Sequence, residues 1–180
     1  MKKIILMTGS PRSNGNTNRM ADAFEGEAKK LGHQVVRFDT AFMKINGCKA
    51  CDCCYKNEKA CVFDDDYNKI ADHLESADAI VIATPLYWYS FPSQIKAAID
   101  KWYSLYVKGI DFSGKTTALM STCEDTGIEA FLALKYSYEK SMELLNAKVI
   151  EEILIPGVCN IGDIDQTDGI ARAKTLAHRI

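Results

Sequence analysis

At 180 residues, 47% of them hydrophobic, the chain is long enough to bury one substantial core, and it reads as a single domain over residues 1–180. A net charge of -2, from 22 basic and 24 acidic side chains, leaves no electrostatic footprint for nucleic acid or an anionic membrane surface. No stretch has the length of a bilayer span, and the apolar run behind Met1-Lys2-Lys3 ends at Thr8-Gly9, too short for a signal peptide, so a cytoplasmic protein is expected.

The first element is a short buried strand of four consecutive apolar residues from Ile4. It runs into Gly9-Ser-Pro-Arg-Ser-Asn-Gly15 and then a helix beginning near Asn16 or Thr17. Glycines permit the tight turn, the first helical amides point one way, and Ser10, Arg12, Ser13, Thr17 and Asn18 add donors, so the loop suits a phosphate. It is not a Walker loop, because Asn16 stands where Lys belongs, and it lacks the three glycines of the dinucleotide fingerprint. With no cysteine between Met1 and Phe42, nothing in it is equipped to attack a phosphate.

The first helix places Met20, Phe24, Ala28 and Leu31 on one face and ends at Gly32, and a second strand follows at Gln34 to Phe38. Residues 39–65 then carry cysteines and charges without helical or strand periodicity, which marks an insertion or functional loop. Beyond it a helix starts at Asp66, with Asp64, Asp65 and Asp66 placed to cap it. The third strand, Asp78 to Thr84, is apolar throughout. After Pro85–Phe91 a helix is expected to bury Ile95, Ala98, Ile99, Trp102 and Leu105. A strand at Lys115–Ser121 precedes a long helix from Gly127 with Ile128, Phe131, Leu134, Tyr138, Met142 and Leu145 inward. A fifth strand at Val149–Ile155 and a helix carrying Ile170, Ala173, Leu176, Ala177 and Ile180 complete the chain.

Strands alternating with helices predict an α/β fold, a doubly wound five-stranded parallel sheet with helices on both faces. In the order 2-1-3-4-5 the ligand crevice lies beyond the carboxyl ends of the first and third strands. The two most unusual loops fall there. One is the donor-rich loop; the other is Thr84-Pro-Leu-Tyr-Trp-Tyr-Ser-Phe91, with four aromatics among five residues, suited to a flat ring or to sealing a core or subunit contact. Ser121-Thr-Cys-Glu-Asp-Thr-Gly127 is a third polar loop facing the same crevice.

Gly9–Asn18, Thr84–Pro92 continuing into Gln94–Asp100, and the cysteine loop ending in Asp-Asp together resemble the FMN-binding, NAD(P)H-dependent oxidoreductases of flavodoxin-like fold, which include FMN and quinone reductases and iron-sulfur flavoproteins. The resemblance covers nearly the whole chain. It implies that Ser10, Arg12, Ser13, Asn16, Thr17 and Asn18 hold the FMN phosphate, that Pro85, Leu86, Tyr87 and Trp88 border the flavin ring, and that Ser121, Thr122 and Cys123 lie nearby. It also implies hydride transfer from NAD(P)H to the flavin, onward transfer to a small acceptor such as a quinone or flavin, and a homodimer or homotetramer. The flavin carries that chemistry, so no catalytic side chain is needed, and His33, His73 and His178 are scattered over different elements. A flavodoxin-like electron carrier is the alternative of a different class.

Seven cysteines in a reducing compartment point to metal, redox chemistry or packing before disulfides. Cys48, Cys51, Cys54 and Cys61, separated by two, two and six residues, suit a [4Fe–4S] cluster, with Cys53 left over. The resemblance admits both a cluster and free thiols in this loop. Zinc fits less well, because its structural loops usually present two separated pairs.

Overall fold

A computed structural model describes residues 1–180. Five strands, β1 (Lys3–Thr8), β2 (Gln34–Asp39), β3 (Ala79–Pro85), β4 (Thr116–Thr122) and β5 (Lys148–Ile155), pair in parallel in the order β2-β1-β3-β4-β5. Six helices accompany them: α1 (Asn16–Lys30), α2 (Tyr67–Glu75), α3 (Ser93–Asp100), α4 (Tyr103–Lys108), α5 (Leu132–Leu144) and α6 (Gly169–Ala177). The sheet is the flavodoxin-like doubly wound one that the strand and helix alternation predicts. No helix is long and apolar enough to cross a membrane.

The two-residue alternation of a strand explains the two cores. Ile5, Met7, Ile80, Ile82 and Leu119 face one side, where they pack with Ile70 and Leu74 of α2, Ile95 of α3 and Leu134 and Tyr138 of α5. Ile4, Leu6, Val81, Ala83, Ala118 and Met120 face the other, against Met20 and Phe24 of α1 and Ala173 and Leu176 of α6. Strands covered on both faces read as unbroken apolar runs, and β1 and β3 do; the edge strand β2 is only half-buried. Gly32, at φ +83°, closes α1 in the left-handed region, and His33 N–H donates back to Ala28 O at 3.0 Å.

Two expected helices differ. The one beginning at Ser93 stops at Asp100 instead of continuing to Leu105. The Lys101 carbonyl accepts the Tyr67 hydroxyl at 2.6 Å, and the Lys101 ammonium is drawn into a buried ion pair with Asp65, so the chain turns there before α4 starts. Ile128 is 56% exposed and not inward, because residues Ile128–Phe131 form a 3-10 turn that rotates it to solvent ahead of α5. Residues 43–66 contain no helix or strand.

Candidate functional site

β1, β3, β4 and β5 stop side by side, and the loops that leave them enclose a cavity of about 520 Å³. This is the strand-order switch point of the sheet, where open α/β folds bind ligands, and the volume lies within the range of ordinary small-molecule sites.

The floor comes from the loop after β1. Gly9 N–H donates to Ala83 O of β3 at 2.9 Å, and a Cβ at Gly9 would meet Ile95 Cγ2 and Thr84 Oγ1 at 2.8 Å, so only glycine lets the loop lie this close to β3 and α3. Gly15 N–H donates to Arg12 O at 2.9 Å, closing the turn, and Ser10 Oγ accepts from Arg12 N–H at 3.2 Å. The first intrahelical bond of α1 is Arg19 N–H to Gly15 O, so the amides of residues 16–18 have no helical carbonyl to bond. Those amides, with the Ser10 and Thr17 hydroxyls and the Arg12 guanidinium, make a cradle for an anion.

Thr17 Oγ1 also meets Thr122 Oγ1 of β4 at 2.7 Å, joining floor to wall. Asn16 Nδ2 donates to Asn160 O at 2.8 Å while its Oδ1 accepts from Gly162 N–H at 2.9 Å, so this side chain ties α1 to the loop after β5. Asn18 lies beneath: it is 1% exposed, its Nδ2 donates to Arg12 O at 2.9 Å, and its Oδ1 is buried without a partner.

The aromatic loop supplies another wall. Leu86 N–H donates to Thr122 O at 2.9 Å, and Tyr87 and Ser90 exchange both backbone bonds at 3.0 Å. Such a two-residue turn needs positive φ at its tip, normally met by Asn or Gly; here Trp88 (φ 47°) and Tyr89 (φ 60°) occupy it. Trp88 is 94% exposed, whereas Phe91 is buried in the core, so the four aromatics divide between cavity and core. Cys123, whose burial pushes its thiol up, donates from Sγ to Asp125 O at 3.3 Å.

Of the thirteen residues expected here, Ser10, Arg12, Asn16, Thr17, Pro85, Leu86, Tyr87, Trp88, Thr122 and Cys123 line the cavity. Ser13, Asn18 and Ser121 do not; Ser13 is exposed, and Ser121 is buried with an unpartnered hydroxyl. The sequence reading missed Val158, Cys159 and Ile161 from the loop after β5. They belong to no motif, although the switch-point rule places that loop at the same end of the sheet.

A second, much smaller cleft of about 30 Å³ has Cys48, Cys51, Cys54 and Cys61 in its lining, together with Lys101, Tyr103 and Ser104. Cys53 lies outside it, donating from Sγ to Cys51 O at 3.1 Å and accepting from Lys56 Nζ at 3.4 Å. The Cys54 thiol is pushed up by burial first and then by its neighbours Cys61, Cys48 and Cys51. Cys48, Cys51, Cys54 and Cys61 thus share one cleft, and no three of them stand close enough together to hold a metal.

A sequence profile of NADPH-dependent FMN reductases matches residues 2–154. The chain belongs to that family. An iron-sulfur flavoprotein of Methanosarcina thermophila is 34% identical over 122 residues, which are 66% of this chain and 62% of that protein. One from Archaeoglobus fulgidus is 28% identical across 99% of this chain and 93% of its own length. Among solved structures, an NAD(P)H:quinone oxidoreductase from Methanothermobacter marburgensis superposes with a TM-score of 0.78 at 14% identity, covering 99% of this chain and 95% of that one. An azoreductase from Bacillus anthracis does so at 0.74 and 16%, covering 100% of both. At those identities the superpositions establish the fold shared by this FMN reductase family member.

Proposed function

We propose that the large cavity holds FMN and that the chain works as one FMN-binding domain, an oxidoreductase that takes electrons from NAD(P)H and gives them to a small acceptor. One observation carries this reading: in a member of the FMN reductase family, a single cavity at the switch point joins an anion cradle to an aromatic loop. The residues present fit the group. Ser10, Thr17, Arg12 and the amides of residues 16–18 would hold the phosphate, with Ser13 outside the cradle and Asn18 supporting it from below. Leu86, Tyr87 and Trp88 would border the ring, and Thr122 and Cys123 would lie near it. Bound flavin supplies the hydride chemistry.

The chain's own task is to orient the donor and acceptor and to keep bulk water from the floor. With a quinone the balance is NAD(P)H + H⁺ + quinone → NAD(P)⁺ + hydroquinone. All seven cysteines are free, in keeping with a reducing compartment such as the cytoplasm. Exposed Tyr103 and Tyr106 of α4 favour a homodimer or homotetramer, which light scattering would detect. The test of function is titration of the flavin-free protein with FMN, followed by steady-state NADH and NADPH oxidation with quinone or free flavin. Micromolar or tighter FMN binding with turnover is expected. Binding without turnover on any acceptor would leave an electron carrier, and no binding would end the reading.

The two, two and six spacing of Cys48, Cys51, Cys54 and Cys61 favours a second cofactor, a [4Fe–4S] cluster, around which the four thiols would have to close, since no three of them stand close enough to hold a metal as placed. The relatives from Methanosarcina thermophila and Archaeoglobus fulgidus, both iron-sulfur flavoproteins, agree with it. Ala50 and Asp52, on either side of Cys51, have positive φ, and Ala50 N–H points to Cys48 Sγ at 3.5 Å, the kind of amide-lined concavity that holds iron-sulfur groups. Anaerobic reconstitution with iron and sulfide should give about four irons per chain, lost in Cys51→Ser and kept in Cys53→Ser. Iron-free protein after that treatment would leave these residues as free thiols.

A further inference from the structure

The rim of the large cavity differs in chemistry from its floor. The only cation in the lining is Arg12, at the anion cradle, where a bound phosphate would offset it. The other charged lining residues are Glu124 and Asp125, both exposed. Neither has a cationic partner: Glu124 Oε2 faces Cys159 Sγ at 3.8 Å, and Asp125 Oδ1 accepts the Gly127 amide at 3.0 Å. Two uncompensated carboxylates at a concave mouth disfavour a negative charge seated beside them and favour a positive one; NAD(P)H carries its phosphates away from its nicotinamide ring, so the donor can present that ring without seating them there.

The same lining carries Trp88 and Tyr89 on a strained turn. A left-handed backbone is unfavourable for bulky side chains, and glycine would relieve it. Burial offers no compensation, because Trp88 is 94% exposed and Tyr89 55%. Neither backbone preference nor core packing accounts for an indole at this tip. A flat ligand lying against it does, since stacked aromatic faces and cation–π contacts both draw on an exposed ring.

We propose that Trp88, Tyr89, Glu124 and Asp125 form the acceptor station of this cavity, and that it selects flat aromatic acceptors without negative charge, neutral or cationic ones being taken over anionic ones of the same shape. The proposal rests on the cavity holding FMN. Trp88 and Tyr89 supply the stacking face, while Glu124 and Asp125 discriminate by charge. In the reaction served, a quinone gains two electrons and two protons to become the hydroquinone; NAD(P)H, losing a hydride, supplies both electrons and one proton and becomes NAD(P)⁺, and the second proton comes from solvent.

The experiment uses the FMN-loaded protein and three matched acceptors: a neutral naphthoquinone, its sulfonate and its trimethylammonium derivative. FMN content is read from visible absorbance in every variant. Ratios of kcat/KM between acceptors, compared between variant and wild type, cancel the intrinsic reduction potentials. In the double variant Glu124→Gln/Asp125→Asn the sulfonate-to-neutral ratio should rise about fivefold to tenfold at low ionic strength and the cation-to-neutral ratio should fall, both effects shrinking with salt. Trp88→Gly should raise KM for all three acceptors about tenfold. Acceptor ratios within twofold of wild type in the charge variant, with FMN bound, would overturn the charge selection. Unchanged acceptor KM in Trp88→Gly together with a changed oligomeric state would reassign Trp88 to a subunit contact and overturn the station. Failure to bind FMN is seen before any acceptor is added; it ends the flavin reading, and the proposal with it.

Discussion

The large cavity takes its shape from four parallel strands that end together, whereas the cysteine cleft is shaped by residues 43–66, where the backbone has no regular pairing. The cavity floor is held by main-chain bonds and by a glycine wedged against β3 and α3. The cleft hangs on a few polar tethers. Asp65 accepts the amides of Asn46 and Tyr67, at 3.0 and 3.1 Å, and the Lys101 ammonium. Asp66 accepts Lys44 N–H at 2.7 Å, and Asn68 Oδ1 accepts Cys61 N–H at 2.8 Å. A site at the end of a sheet is thus preformed by the fold, while a site on an irregular loop is only as ordered as its tethers.

The sharpest way to separate the two is Asp65→Ala. The Lys101 and Asp65 side chains are 3% and 0% exposed, and removing one partner of a buried ion pair costs about 3–5 kcal/mol. Urea unfolding should show that loss, and hydrogen exchange should quicken at residues 44–66 well before residues 9–18. Equal loss of protection in both regions would mean the cleft and cavity are one cooperative unit. Gly9→Ala attacks the other side of the contrast. Forcing a Cβ against Ile95 and Thr84 should cost about 1–3 kcal/mol and weaken FMN binding.

A smaller effect is expected from Thr17→Val, which leaves the buried Thr122 hydroxyl without its 2.7 Å partner, at about 1 kcal/mol in thermal or urea unfolding. An effect of similar size should have the opposite sign. Trp88→Gly relieves a left-handed backbone and loses almost no burial, so the protein should gain about 1 kcal/mol in stability even as it loses acceptor affinity. A destabilised Trp88→Gly would mean that the indole is packed against something, a second copy of the chain above all.

The parts legible in the sequence are those governed by short-range rules. Apolar runs gave β1 and β3, the alternation of strands and helices gave the parallel doubly wound sheet, its order 2-1-3-4-5 is the one expected of a flavodoxin-like fold, and the glycine-bounded loop lies at the switch point as that order requires. The spacing of Cys48, Cys51, Cys54 and Cys61 suggested a cluster; the four share one cleft but do not form a coordination sphere. What escaped was decided by long-range contacts. The break at Lys101 depends on Asp65 and Tyr67, more than thirty residues away, and no local pattern announces it. The resemblance put Asn16 among the phosphate ligands; its side chain is engaged by Asn160 and Gly162, which leaves its backbone amide for the cradle. The loop after β5 entered the cavity with no sequence signal of its own, only the geometry of the sheet.

One helix touches both regions. α3 starts directly after the aromatic loop and ends beside Lys101, which lines the cysteine cleft, so a rod of eight residues, roughly 12 Å long, connects them. A rod of that length can carry a shift of one end to the other, and if it does so between these two sites, reciprocity requires each to change the other's affinity by the same factor. Loading iron into the protein should therefore shift the FMN dissociation constant, and identical constants with and without iron would show that the two ends act in isolation.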